Sequence, residues 1–84
     1  MISPTVGRVV WVWKREGQID TSQPEAALVT YVHNDRLINV AGFTQESHPF
    51  REIKLLLEQE EDEPSHTTHA SWMPYQIGQA KKHA

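Results

Sequence analysis

The chain predicts a mainly β fold: a small antiparallel barrel of the SH3-like kind, or a β-meander, with a short C-terminal helical turn. Three observations carry that expectation. β-branched and aromatic residues gather in short runs, as in Val9-Val10-Trp11-Val12-Trp13. A two-residue turn signal, Asn34-Asp35, separates two such runs. Polar breaks divide the rest into short strands, which in so small a chain curl readily into a barrel.

The elements follow in order. Met1–Thr5 is a lead-in, with Pro4 blocking helix. Gly7–Lys14 reads as a strand with Val9, Trp11 and Trp13 on one face and Val10 and Val12 on the other. Both faces are apolar, so the strand is central or half-covered by a partner. Arg15–Glu25 is polar and reads as a loop. Ala26–His33 and Arg36–Phe43 form a hairpin about Asn34-Asp35. Phe50–Leu57 fits two patterns. Ile53, Leu55 and Leu57 alternate as in a strand, while Phe50, Ile53, Leu56 and Leu57 fit a helical face. A strand is the reading adopted, because a meander needs a fourth strand. The acidic stretch from Glu58 to His69 reads as a mobile, self-repelling loop. Ala70–Met73 reads as a last short strand and Pro74–Ala80 as a helical turn or two, with Lys81 and Lys82 facing the negative end of the helix and a frayed terminus.

Composition narrows the function classes. At 84 residues the chain supports one domain, 1–84, with a thin core. A homo-oligomer is the expected way to add buried surface, and the 3 Trp supply large apolar faces for it. Lys plus Arg is 8 against 11 for Asp plus Glu, a formal net charge of -3, which argues against nucleic acid as a partner. No apolar run approaches the roughly 18–20 residues that span a bilayer, and the start lacks the pattern of a secretory signal, so a membrane is not an expected partner. Cys is 0, which excludes disulfides, thiolate metal sites and a Cys nucleophile.

No nucleophile elbow, paired-acid motif or Gly-rich phosphate loop is present, so no enzyme, catalytic residue or cofactor is expected. His66-Thr67-Thr68-His69 would offer zinc two imidazoles only on a helix. Pro64 and the Thr pair oppose helix there, so a polar loop and no metal are expected. The aromatic and polar inventory suits binding better. Trp13, Trp72 and Tyr75 offer flat faces for a base, and Arg8 and Arg36 offer forks for phosphate. His33, Asn34, Asn39 and Gln76 offer hydrogen bonds to base edges or ribose. These nine residues are the candidate ligand site, while Trp11 and Tyr31 are expected in the core. The segment from Trp72 to Lys81 holds Trp72, Met73, Pro74 and Tyr75 in succession, and is expected to pack back on the barrel or on a neighbouring subunit.

Three stretches together carry a resemblance: Ser3-Pro4-Thr5-Val6-Gly7-Arg8-Val9-Val10-Trp11, Tyr31-Val32-His33-Asn34-Asp35-Arg36-Leu37-Ile38-Asn39, and Trp72-Met73-Pro74-Tyr75-Gln76-Ile77-Gly78-Gln79-Ala80-Lys81-Lys82. In this order and spacing the chain resembles a family of small hypothetical proteins of tailed bacteriophages and prophages. The match spans nearly the whole chain apart from the loops at 15–25 and 58–69. The family carries no established activity, so the resemblance implies a setting: an accessory protein in the cytoplasm of an infected bacterium. Within that setting the expected role is an anti-defence sponge that sequesters a nucleotide-like immune signal, such as a cyclic oligonucleotide or an ADP-ribose derivative, without cleaving it. The alternative expectation is a small barrel that binds a host or virion protein.

Overall fold

A computed structural model describes residues 1–14 and 23–82. The strands are β1 (Val9–Trp13), β2 (Glu25–Asn34), β3 (Leu37–Phe43), β4 (Pro49–Glu58) and β5 (His69–Ser71), followed by helix α1 (Pro74–Lys82). They close into a barrel in the order β1-β2-β3-β4-β5, with β5 returning to pair with β1. An odd number of strands cannot alternate in direction all the way round, so one neighbouring pair must run parallel. Here that pair is β4 and β5, which meet at Leu57↔Ala70 and Glu58↔Ser71. A parallel pair needs a connection that travels back along the barrel, and the acidic stretch 59–68 makes that journey. The barrel, rather than an open meander, is therefore the architecture. The expected loop 15–25 lies mostly outside the described residues, as do His83 and Ala84 of the expected frayed end.

Local chemistry sets each boundary. Gly7 has φ 95°, a conformation that only glycine adopts without strain. It lets Gly7 N–H donate to Val29 O at 2.8 Å while Arg8 O accepts from Val29 N–H at 2.8 Å, extending the β1–β2 ladder. The hairpin turns at Asp35 and Arg36, one residue later than expected. Asn34 ends β2, and its Oδ1 accepts from Arg36 N–H at 2.8 Å, so the side chain imitates a turn hydrogen bond and neither Asn34 nor Asp35 adopts positive φ. Bulges near Thr30 and His33 shift the β2–β3 register. Gly42 sits so close to β2 that a Cβ would collide with Ala26 O.

Phe50–Leu57 is a strand, within the longer β4. The helical alternative fails because β3 pairs along this segment, from Phe43↔Pro49 to Leu37↔Leu56. A bulge opposite Asn39 explains the mixed periodicity. It leaves Ile53 and Lys54 both exposed, with Lys54 at φ 55°, and Leu55 and Leu57 turned inward. The last strand stops at Ser71, earlier than expected, because Trp72 turns into the core and Met73 caps the helix. Pro74 occupies the first helical position, where its missing N–H costs nothing. Gln76 reaches back to accept from Met73 N–H at 2.8 Å, the Gln half of a capping box. Its Nε2 donates to Val9 O at 2.7 Å and fastens α1 to β1, and Ile77 packs against the core.

The core is Val10, Val12, Ala27, Val29, Ile38, Val40, Leu55, Leu57, Ala70 and Trp72. Apart from Trp72 these are small or aliphatic side chains, as a narrow five-stranded barrel requires. That corrects two expectations. Tyr31 is 56% exposed, and Trp11 lies half-buried on the outward side of β1. The alternation that turns Val10 and Val12 inward turns Trp11 outward, and the bulge at Thr30 takes Tyr31 off the inward phase of Ala27 and Val29.

The acidic stretch is fastened at its start. Gln59 is 2% exposed, and its Oε1 accepts from Ile2 N–H at 3.1 Å and Trp72 Nε1–H at 3.2 Å. Its Nε2 donates to Ile2 O at 2.9 Å and Asp35 O at 2.8 Å. One buried amide thus ties the lead-in, the hairpin turn and the tail to β4, with all four of its hydrogen-bonding positions used.

Candidate functional site

The nine predicted ligand residues fall into separate places. His33, Asn34, Arg36 and Asn39 gather at the β2–β3 hairpin. Asn39 Oδ1 lies 3.0 Å from His33 Nε2 and accepts from the bulged Lys54 N–H at 2.8 Å. The His33 ring meets Tyr31 edge-on, with centroids 4.8 Å apart. Arg36 is engaged by carboxylates: its Nε and Nη2 donate to the two oxygens of Asp62 at 2.9 and 2.8 Å, and Glu61 lies at 3.5 Å. The bidentate bond to Asp62 raises the Arg36 pKa above its ordinary value. The same bond, helped by Gln59 N–H, holds the Asp62 carboxyl below the ordinary aspartate value. A phosphate would have to displace that fork.

Arg8, Trp13, Tyr75 and Gln76 lie elsewhere, on β1 and α1 and the turn before β1. Arg8 and Tyr75 are exposed. Trp13 donates its indole N–H to Ser71 Oγ at 2.9 Å and meets Trp11 edge-on at 5.9 Å. Gln76 is committed to the helix cap and to Val9 O. Trp72 is 4% exposed and bonded to Gln59, so no base can stack on it. The expected nucleotide pocket is therefore not assembled from these nine residues, because they occupy different faces and Trp72 is interior.

A different surface does assemble. Directly opposed residues in neighbouring strands point to the same side. The ladders thus build outward rows: Val9, Leu28, Ala41 and Arg51 in one, and Trp11, Ala26, Phe43 and Pro49 in the next. Nearer the hairpin lie Tyr31 and Asn39 beside the bulged Ile53 and Lys54, then Leu37 and Leu56. Leu28 is 49% exposed, Phe43 61% and Ile53 64%. Arg51 and Lys54 place exposed cations along this surface.

Two clefts border it. One, of about 470 Å³, runs beside β4 and is lined by Lys14, Glu52, Ile53, Lys54, Leu55 and Leu56, with Thr68. Lys14 there pairs with the buried Glu25 at 3.4 Å and lies 4.1 Å above the Phe50 ring. The other, of about 270 Å³, sits at the parallel seam between Trp13, Glu58, Pro64, Ser65, His69 and Ser71. In it His69 is nearly buried, with Nδ1 2.8 Å from Thr67 O and Nε2 3.3 Å from Glu58 Oε2. Ser65 N–H also donates to Glu58 Oε2, at 2.9 Å.

Sequence reasoning missed Leu28, Phe43, Ile53, Glu58, Gln59, His69 and Ser71. A signal for the first two was present: once Val10 and Val12 are taken as the inner face, the hairpin register sends Leu28 and Phe43 outward. Nothing local distinguishes Gln59 from its acidic neighbours, because its partners are remote in sequence.

Comparison of the chain with protein-family models, with curated proteins and with solved structures found no match. Among the described residues, no helix is long and apolar enough to cross a membrane, and no three His, Asp or Glu side chains are grouped to hold a metal ion.

Proposed function

We propose that this chain is a non-catalytic protein-interaction barrel that docks a protein through the outward face of β1–β4. The observation that carries the reading is the rows of apolar side chains on the solvent side of the sheet, from Val9 and Trp11 across Leu28 to Phe43. Single exposed apolar residues are ordinary; a contiguous patch three strands wide, about 10 Å across, is characteristic of an interface. The resemblance to small phage proteins supports an accessory role in an infected bacterium, with a host or virion protein as the partner. A homo-oligomer would form through the same face.

The test is the double variant Leu28→Lys/Phe43→Lys. Both side chains are exposed, so the thermal midpoint should stay close to wild type. The wild-type chain should self-associate in sedimentation, or retain a stoichiometric protein from bacterial lysate, and the double variant should lose that association. A wild-type monomer with no retained protein, or association that survives both lysines, overturns the reading.

A second reading, sequestration of a nucleotide-like signal, is favoured by one feature: Tyr31, His33 and Asn39 form an exposed platform of two rings and an amide. Native mass spectrometry with a panel of bacterial signalling nucleotides tests it. A bound nucleotide released intact on heating supports sequestration, and no mass gain removes it.

A further inference from the structure

The β4 margin of the apolar face carries a more specific inference. Directly opposed residues share a side, so Glu52 and Leu55 turn inward with Val40 and Ile38. A regular strand would leave one outward residue between two inward ones. The bulge opposite Asn39 leaves two, Ile53 and Lys54, and both are exposed. The bulge thus adds a cation to the outer side. The Lys54 backbone has φ 55°, a conformation that a residue with a Cβ adopts only at a cost. Asn39 holds it there, its Oδ1 accepting from Lys54 N–H at 2.8 Å. Strain of this kind collects at sites that hold ligands. Arg51 stands earlier on the same strand, in the outward row with Ala41 and Leu28. β4 therefore presents a cation, an apolar side chain and a second cation in Arg51, Ile53 and Lys54. Both charges are uncommitted. Lys14 pairs with Glu25, and Arg36 with Glu61 and Asp62, whereas Arg51 and Lys54 form no ion pair among the described residues. No carboxylate stands in the outward rows that hold them.

We infer that the docking face takes a protein segment in which carboxylates flank apolar side chains, with Arg51 and Lys54 receiving the carboxylates and Ile53 and Leu28 the apolar groups. The inference rests on the interaction reading and names the chemistry of its partner. Exposed cations beside an apolar surface steer an oppositely charged partner and repel a like-charged one, while the apolar contacts hold it. A nucleic acid strand would bring anions too, but it carries a phosphate at every step and needs a longer line of cations. Two cations on a chain of net charge -3, with Glu60, Glu61, Asp62 and Glu63 in succession elsewhere, suit a few carboxylates better.

The probe is the peptide acetyl-Glu-Leu-Leu-Glu-amide, whose extended backbone sets its acidic residues about 10 Å apart, close to the step from Arg51 to Lys54 along β4. Acetyl-Gln-Leu-Leu-Gln-amide is its uncharged counterpart, and amide chemical shifts follow binding. The expected result is saturable shifts centred on Asn39, Arg51, Ile53 and Lys54 with the acidic peptide, weakened by added salt. Arg51→Gln/Lys54→Gln alters only exposed side chains and should weaken the acidic peptide about fivefold, the effect of losing two exposed ion pairs. Lys54→Arg keeps the charge and should bind as wild type. So should Arg8→Gln, which removes an exposed cation from the turn before β1. No saturable shift, equal binding of the Gln peptide, or unchanged affinity in Arg51→Gln/Lys54→Gln overturns the inference. A thymidine octanucleotide that binds the same amides more tightly than the peptide overturns it too. Protein association lost in Leu28→Lys/Phe43→Lys but unchanged in Arg51→Gln/Lys54→Gln sinks the acidic partner alone. Peptide binding without any protein association sinks the docking reading alone.

Discussion

The inward and outward faces of the same strands do opposite work. Along β1, Val10 and Val12 are completely buried, while Trp11 and Trp13, one residue away, stand on the outside. β2 repeats the division, with Ala27 and Val29 inside and Leu28 and Tyr31 outside. On the strands the inner face carries alanine and branched aliphatics, while Trp72 enters the core from beyond β5. The outer face also carries large apolar groups. The direction a side chain faces thus separates what holds this barrel together from what it has available for a partner.

Substitutions can test that division. Leu57, fully buried, should show the largest effect: Leu57→Ala is expected to cost about 2–5 kcal/mol in urea denaturation, a large share of what so small a domain has. Leu28→Ala on the outer face should stay within about 0.5 kcal/mol of wild type. Equal losses at the two sites would erase the distinction. Next comes Gln59→Leu, which deprives Ile2, Asp35 and Trp72 of their shared partner; about 1–3 kcal/mol is expected for a buried orphan of this kind. Its amide-exchange signature should spread to the lead-in and the tail, and a purely local change would show that the amide is not the tie described above.

The smallest effect concerns Asp62 and depends on pH. A carboxyl held below its ordinary value binds protons less readily in the folded chain than in the unfolded one. Its stabilisation is complete above the ordinary value near 3.8 and disappears as pH falls through the lowered one. Asp62→Asn should therefore lower the thermal midpoint by a few degrees at neutral pH and flatten its decline in acid. Because the pair with Arg36 is at the surface, a large loss at neutral pH would contradict this account.

Much of the barrel was legible in the chain, because alternation and turn chemistry are local. The runs at 26–33 and 36–43 fall within one residue of β2 and β3. The turn was displaced by one residue because Asn34 acts through its side chain, which propensity alone does not reveal. The ligand site was less legible. Arg36 reads as a free fork until Asp62, remote in sequence, is brought against it, and Trp72 reads as a stacking surface until Gln59 is seen to hold it inside. Chemistry that depends on distant partners is not written in spacing.

The parallel seam has a consequence in time. The β2–β3–β4 meander joins neighbours in sequence through short turns, whereas closure brings Trp11 to Ser71 and Leu57 to Ala70 across a returning segment. Loop-closure entropy opposes such non-local pairing, so the meander is expected to form early and the seam to zip last. The three-residue β5 is correspondingly the element whose amides should exchange first when the native barrel breathes. The cleft between Trp13 and Glu58 straddles that closing line, so it exists only in chains that have completed folding.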